Sequence, residues 1–333
     1  MMEKTVGVVI PVFCPGPLFH ELLRRLTRQT HIPEEVVIIH TAPEPQECGT
    51  AQKTEAAEAA EKFRTSFPSL TVLEVRQKEF GHGKTRDLGI GYTDTDLVLC
   101  MTQDALPRDS RLVERLMHAF DDPSVAAAYA RQLPGKKSSV LEAEARTFNY
   151  PASSAVKSAA DLDRLGIKTF FCSDVCAMWR RSAYDQAGGF EKDVIFNEDM
   201  ILAGKMIQKG CRIAYCADAQ VYHTHHYSGI KQLHRNFDLG VSQADYPEIF
   251  NMASSSREGL RFLRQAMSDL IRSGQGYLVP QLLWQSGCKY AGYQLGKHYR
   301  KLPDRLVRVL TDSPVYWEQK KEHPHILHND MVD

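Results

Sequence analysis

The chain opens on short, unbroken apolar runs separated by stretches of helical spacing. Val6-Gly7-Val8-Val9-Ile10-Pro11-Val12-Phe13 is short and β-branched, which predicts a buried strand of the parallel type. Leu18, Leu22, Leu23 and Leu26 then recur on one helical face, predicting a helix from about Gly16 to Gln29. Glu35 to His40 reads as a second buried strand, ending in the Pro-broken loop Thr41-Ala42-Pro43-Glu44-Pro45. Ala51 to Phe67, rich in Ala, Glu and Lys, reads as an exposed helix, and Leu70 to Val75 as a third strand. A fourth apolar run ends at Thr102-Gln103-Asp104-Ala105, and Val125 to Ala130, Phe170 to Trp179 and Ile213 to Cys216 read as further strands. Helix-compatible residues fill Ser139 to Phe148, and a Ser/Ala-rich loop follows near Pro151 to Ala160. Strand and helix in alternation predict a doubly wound α/β sheet, which keeps its ligands beyond the carboxyl ends of its strands.

Composition narrows the picture without changing it. Across 333 residues, 43% are apolar and 25% charged, ordinary for a globular protein and enough for a large core. Lys plus Arg equals Asp plus Glu at 41 each, so no global charge draws the chain to nucleic acid. Locally, His226 to Leu310 holds 12 Lys/Arg against 6 Asp/Glu. Within it, Arg257 to Arg272 sets Leu260, Leu263, Met267, Leu270 and Ile271 on one face of a helix, which packs on the rest of the chain or lies on an anionic membrane. The eight cysteines show no paired zinc spacing, and Cys172 and Cys176 read as core. No signal peptide is read before Val6, and no apolar run reaches the ~18 residues a span needs. The expectation is a cytoplasmic protein with reduced thiols.

Candidate chemistry clusters at strand ends. Glu79-Phe80-Gly81-His82-Gly83-Lys84-Thr85-Arg86-Asp87 pairs glycines with His82, Lys84 and Arg86 at a helix start, which suits a phosphate or an ordinary turn. No Walker or GxGxxG pattern is present. Asp104 is either a helix cap or a hard oxygen ligand for Mg²⁺ or Mn²⁺. His223 and His225 lie two apart on an extended segment and are metal ligands or packing residues. Asn197-Glu198-Asp199 opens a predicted helix that Gly210 stops, where carboxylates either cap or do chemistry.

Taken in order, these motifs resemble the family 2 inverting glycosyltransferases of GT-A fold, over roughly Val6 to Tyr227. The Phe80-to-Asp87 loop and Thr102-Gln103-Asp104-Ala105 are similar to the branch that includes rhamnosyltransferases. Gly188-Gly189-Phe190, Glu198-Asp199 and His223-Thr224-His225 fall where that family has its acceptor turn, catalytic pair and late histidines. Tyr290 to Lys297, Leu302-Pro303 and Tyr316-Trp317 resemble the tail of the same branch. One departure stands out: the loop Thr41-Ala42-Pro43-Glu44 lacks the Asp with which the family contacts the nucleotide base.

The resemblance implies an α/β GT-A nucleotide-diphospho-sugar transferase fold, with a mostly parallel Rossmann-like sheet. Residues 1–227 would form the catalytic domain, its donor half about 1–107 and its acceptor half about 108–227. Residues 228–333 would form a C-terminal helical region. It implies transfer of a sugar, L-rhamnose from dTDP-rhamnose, onto a hydroxyl of a lipid-linked cell-surface polysaccharide. The alternatives are a UDP-hexose donor or a silent sugar-nucleotide-binding assembly protein. Asp199 would be the base and Glu198 its helper. Pro11, Val12, Thr41, Glu44, His82, Gly83, Lys84, Arg86, Gln103 and Asp104 would line the donor. Ser173, Asp174, Gly188, Gly189 and Phe190 would face the acceptor, and Asp104, His225 and His223 would hold Mg²⁺ or Mn²⁺. Peripheral contact with the inner face of the plasma membrane would follow from the basic C-terminal region.

Overall fold

The structure, a computed structural model, describes residues 4–42, 50–224, 227–252 and 256–322. The early apolar runs become β1 (Val6–Phe13), β2 (Glu35–Ala42), β3 (Ser69–Arg76) and β4 (Leu97–Met101). They lie parallel in the order β3-β2-β1-β4, with Val8 opposite both Val36 and Leu99. Successive β1 residues feed opposite layers: Val8 and Ile10 join Leu22 and Leu99, while Val9 joins Ile39 and Trp179. Burial on both faces is why these runs are continuous rather than alternating.

Helices α1 (Pro17–Leu26), α2 (Thr50–Phe63) and α3 (His82–Gly91) connect the parallel strands. In α1 it is Phe19, not Leu18, that joins Leu22, Leu23 and Leu26 in the core. The helix predicted to be exposed, α2, seats Ala56, Ala59 and Ala60 in the core, since small side chains at helical spacing let it lie close on the sheet.

The second half departs from plain alternation. After β5 (Leu106–Pro107) and α4 (Leu112–His118) comes β6 (Val125–Leu133). Between β4 and β6 the sheet inserts β8 (Cys176–Arg180), antiparallel to both. The connection from β6 holds α5 (Val140–Asn149), β7 (Ala155–Lys157) and α6 (Leu162–Leu165). From β8 the chain passes through α7 (Arg181–Ala187) and α8 (Glu198–Gln208) to β9 (Arg212–Tyr222). β9 runs parallel to β6 and antiparallel to β5 and β7. Thus the Ser/Ala-rich loop contains a strand, and the last strand is longer than predicted. The strand predicted over Phe170 to Trp179 begins only at Cys176, because the Cys176 N–H turns back to Ser173 O (3.1 Å) and the Asp174 N–H is given to a side chain.

The C-terminal part is helical: α9 (Gly229–Asp245), α10 (Pro247–Phe250), α11 (Ser256–Arg272), α12 (Val279–Lys297), α13 (Asp304–Leu310) and α14 (Pro314–Glu322). α9 and α12 meet backbone to backbone. A Cβ on Gly292 would fall 2.1 Å from Leu233 O, and one on Gly296 2.1 Å from Phe237 O. Ile195, in the loop before α8, shares an apolar cluster with Phe237, Val241, Tyr299 and Leu310. Leu263, Met267 and Leu270 of α11 pack near Leu141 and Leu282, but Leu260 and Ile271 stay 58% and 62% exposed. Among the described residues no helix is long and apolar enough to cross a membrane. Cys100, Cys172, Cys176, Cys211, Cys216 and Cys288 are free thiols, whereas Cys14 is disulfide-bonded, so the expectation of reduced thiols fails there.

Candidate active site

The approach to α8 is fixed by a sharp turn. Gly188 (φ +89°) and Gly189 (φ +73°) take left-handed conformations that end α7, and a side chain is strained there. Tyr184 Oη donates to Asp87 Oδ1 (2.8 Å) and accepts from the Phe190 N–H (3.0 Å). Phe190 is 2% exposed, wedged edge-on against Trp179 and Tyr184, so it anchors the turn. Asn197 completes the approach at φ +66°, a region its short polar side chain tolerates.

Glu198 and Asp199 begin α8 and point to different partners. Asp199 Oδ1 accepts from the Met200 N–H at 2.7 Å, and Oδ2 from the Asp174 N–H at 3.1 Å. Glu198 is buried and accepts from Arg86 Nη1 at 2.8 Å. Arg86 also lies 3.5 Å from Asp174 Oδ2, and Asp174 Oδ1 accepts from the Trp179 indole at 3.0 Å. Two buried carboxylates, Glu198 and Asp174, therefore share one guanidinium, with half-buried Asp199 beside them. Burial pushes Asp174 well above the usual carboxylate range, against the pull of Arg86. Burial, then the charge of Glu198, lifts Asp199 to about 7, while its two main-chain N–H partners hold it down. Such a carboxyl can accept a proton near neutral pH, and its direction is set by backbone.

Two residues expected at the donor and the acceptor lie in this cluster. Arg86 turns inward to compensate Glu198 and Asp174, also donating to His82 O (3.1 Å). Asp174 is 2% exposed, and its main-chain N–H supports Asp199.

The opposite side of the site is more open. Asp104 lies beyond β4 with its side chain 24% exposed, and its Oδ1 is 3.6 Å from His223 Nε2. His223 Nδ1 lies 3.0 Å from Gln132 Oε1 and 3.1 Å from Arg146 Nη2. Gln132 Nε2 donates to Ser173 Oγ at 3.0 Å and to the Tyr150 hydroxyl, and Arg146 also donates to Gln132 Oε1. Hence a polar chain runs from Asp104 through His223, Gln132 and Ser173 to the Asp174 N–H that holds Asp199. Carboxylate and imidazole oxygen and nitrogen donors suit Mg²⁺ or Mn²⁺ whose remaining ligands come from a diphosphate. Among the described residues no group of three or more His, Cys, Asp or Glu side chains is set to hold a metal. His225 and Glu44 lie outside the described residues.

The expected donor cradle is only partly turned toward solvent. Gly83 cannot be anything larger, since a Cβ would fall 1.8 Å from Glu191 O. His82 sits edge-on to Phe80 (5.1 Å) and Phe196 (6.5 Å), and burial lowers its pKa toward the neutral ring. Lys84 donates to Gln319 Oε1 at 3.2 Å. Gln103 clamps the end of β1, accepting from Phe13 N–H and donating to Phe13 O, each at 2.9 Å. Pro11 and Val12 are paired in the β1–β2 ladder, and Val12 is core. Thr41 is buried with its hydroxyl unpartnered, at a cavity of about 370 Å³ between the ends of β1 and β2 and the segment Asp312 to Gln319. Arg146, Gln132 and Tyr150 carry no sequence signal of a site. Neither does Arg235, stacked over Phe196 (5.0 Å) and Tyr227 (4.9 Å).

Comparison with known proteins agrees with this arrangement. The profile of Glycosyl transferase family 2 matches residues 7–188. The chain is 35% identical over 314 residues to the O-antigen chain rhamnosyltransferase RfbN of Salmonella typhimurium, covering 94% of this chain and 96% of that protein. It is 32% identical over 313 residues to the O-antigen chain rhamnosyltransferase WbaN of Salmonella anatum, covering 93% and 95%. Among solved structures it resembles the mannosyltransferase PcManGT from Pyrobaculum calidifontis in complex with GDP-Man and Mn²⁺, with TM-score 0.57 at 16% identity over 98% of this chain and 89% of that one. S. aureus TarS 1–349 gives TM-score 0.51 at 16% identity over 89% and 91%. These likenesses bear out the GT-A fold expected from the sequence.

Proposed function

The chain belongs to glycosyl transferase family 2, and from that premise we propose that it moves L-rhamnose from dTDP-rhamnose onto a hydroxyl of a growing O-antigen-type polysaccharide, with inversion at the anomeric carbon. Glycosyltransferase activity follows from the family; the sugar is inferred from two rhamnosyltransferases that align over nearly the whole chain. The observation that carries the mechanism is Asp199, fixed by two main-chain N–H groups with its pKa lifted to about 7. An inverting transfer is one in-line displacement, in which a base takes the acceptor proton as the hydroxyl attacks. Asp199 does this, directed by the Asp174 and Met200 N–H groups, while the charge of Glu198 raises its proton affinity and Arg86 lowers it. Asp104 and His223 would hold a divalent cation, Mg²⁺ or Mn²⁺, which when bound neutralises charge on the departing diphosphate. Arg235 and Arg146 add cations on the same side. In this reading residues 1–227 carry the chemistry and the helices after them complete the donor side.

Incubation with a lipid-linked oligosaccharide and dTDP-rhamnose, UDP-glucose, UDP-galactose or UDP-N-acetylglucosamine tests the donor. Rhamnose transfer alone is expected; hexose transfer would favour a UDP-sugar enzyme, the reading suggested by a Thr41-to-Glu44 loop without Asp. For a lipid-linked acceptor, exposed Leu260, Ile271, Trp284 and Tyr290 beside Arg261 and Arg264 offer a surface for the inner face of the plasma membrane. Co-sedimentation with anionic liposomes at low salt, lost in a Leu260→Asp/Ile271→Asp variant, is the expected result.

A further inference from the structure

The cavity beside Thr41 has an outer wall that comes from the far end of the chain. On one side it is lined by Phe13, Thr41, Phe80 and His82, at the carboxyl ends of the parallel strands and the start of α3. On the other it is lined by Asp312 to Tyr316 and Gln319. This C-terminal arm is pinned at both ends. At its root the buried Asp238 of α9 accepts from Thr311 Oγ1 (2.6 Å), the Asp312 N–H (3.0 Å) and Ser313 Oγ (3.0 Å). At its tip Gln319 donates to Lys78 O (2.6 Å) and Phe80 O (3.1 Å) and accepts from Lys84 Nζ (3.2 Å). The space so enclosed is about 370 Å³, within the range of small-ligand sites. Its faces are aromatic, from Phe13, Phe80 and Tyr316, and its polar groups include the unpartnered Thr41 hydroxyl and the Asp312 carboxylate, whose Oδ1 accepts from Lys231 Nζ (2.5 Å). Flat apolar walls with a hydroxyl and a carboxylate at the edge suit a nucleobase, whose ring faces stack and whose N–H donates.

We propose that the arm from Thr311 to Gln319 forms the outer wall of the nucleoside pocket, with Asp312 and Thr41 contacting the nucleoside and Asp238 and Gln319 positioning the arm. The proposal rests on the nucleotide-sugar reading above. Its test is calorimetric titration of the full chain with dTDP, UDP and inorganic pyrophosphate, each in excess Mg²⁺. Asp312→Ala and Gln319→Ala should weaken dTDP binding roughly tenfold, as expected for one hydrogen bond to a charged group. Pyrophosphate, which has no base, should bind both variants as it binds the wild type, and Glu318→Ala, on the exposed side of α14, should change nothing. If dTDP binds the wild type and both variants equally, the arm has no such role. Equal weakening of dTDP and pyrophosphate also overturns it. If the wild type binds neither nucleotide, the donor reading itself fails; if it binds dTDP but transfers no sugar, the transferase reading fails and the arm's role stands.

Discussion

The two walls of the site are built on different principles. The inner wall, at the start of α8, buries Glu198, Asp174 and Arg86 together and leaves Asp199 half-buried against main-chain N–H groups. The outer wall is an arm of half-buried side chains that reaches Lys78 to Lys84 from more than two hundred positions away in sequence. Proton transfer needs a carboxyl whose affinity and direction are set by dry, rigid surroundings. Recognition needs only a shaped surface with a few polar points, so it can be carried by a segment held at its two ends. The difference predicts that damage to the inner wall stops turnover, while damage to the outer wall weakens binding.

The largest expected effect is at Asp199. Asp199→Asn should lower the transfer rate by about 10²–10⁴ while dTDP affinity stays at the wild-type value. A near wild-type rate would remove chemistry from the inner wall altogether. Chelation with EDTA should likewise stop transfer, with readdition of Mn²⁺ or Mg²⁺ restoring it; full activity in EDTA would end the metal role of Asp104 and His223.

Next comes stability. Arg86→Met leaves two acidic groups buried without their cation and should cost about 3–5 kcal/mol in urea unfolding. Lys84→Met, which removes a part-exposed charge-assisted hydrogen bond to Gln319 of the arm, should cost about 1–2 kcal/mol. Equal costs would erase the contrast between the walls.

The pH dependence separates the two regions more finely. Asp199 keeps its proton to about 7 in the folded chain but would lose it near pH 4 when unfolded. Its contribution to stability is therefore full below about 4 and lost as pH rises to 7. Activity moves the other way, rising through about pH 7 as the carboxylate forms. In the outer wall, burial lifts Asp238 to about 6 against the pull of its hydrogen-bond donors, so the same sign applies over the narrower window from about 4 to 6. Melting temperature measured from pH 4 to 8 should show a slope above pH 6 that Asp199→Asn removes and Asp238→Asn does not.

Much of the inner wall was legible because its parts are local. The β-branched runs at Val6, Glu35 and Leu97 can hardly be anything but buried strands, and Asp104 and Glu198-Asp199 sit where such a sheet places its site. What sequence could not show is the direction of a side chain. Arg86 lies in a loop that reads as a phosphate cradle, yet two buried carboxylates draw it inward. Phe190 reads as an aromatic beside a turn, yet the space between Trp179 and Tyr184 takes it into the core. The polar segment before Cys176 reads as strand because its flanks are apolar, but its Asp174 N–H is taken by Asp199 and the Cys176 N–H turns back to Ser173 O. The arm was invisible for a simpler reason: nothing near Asp312 in sequence points to Thr41, and only the folded chain brings them to one cavity.

The contact of α9 with α12 has a consequence at a distance. α9 carries Arg235 at one side of the site and Asp238 under the arm, and its spacing from α12 is set by side chains that Gly292 and Gly296 do not have. The pair behaves as a caliper closed to backbone contact. A single methyl group at either glycine would open the jaws and shift everything α9 holds. The gap in which a donor is gauged would then change, although the altered residue touches no ligand.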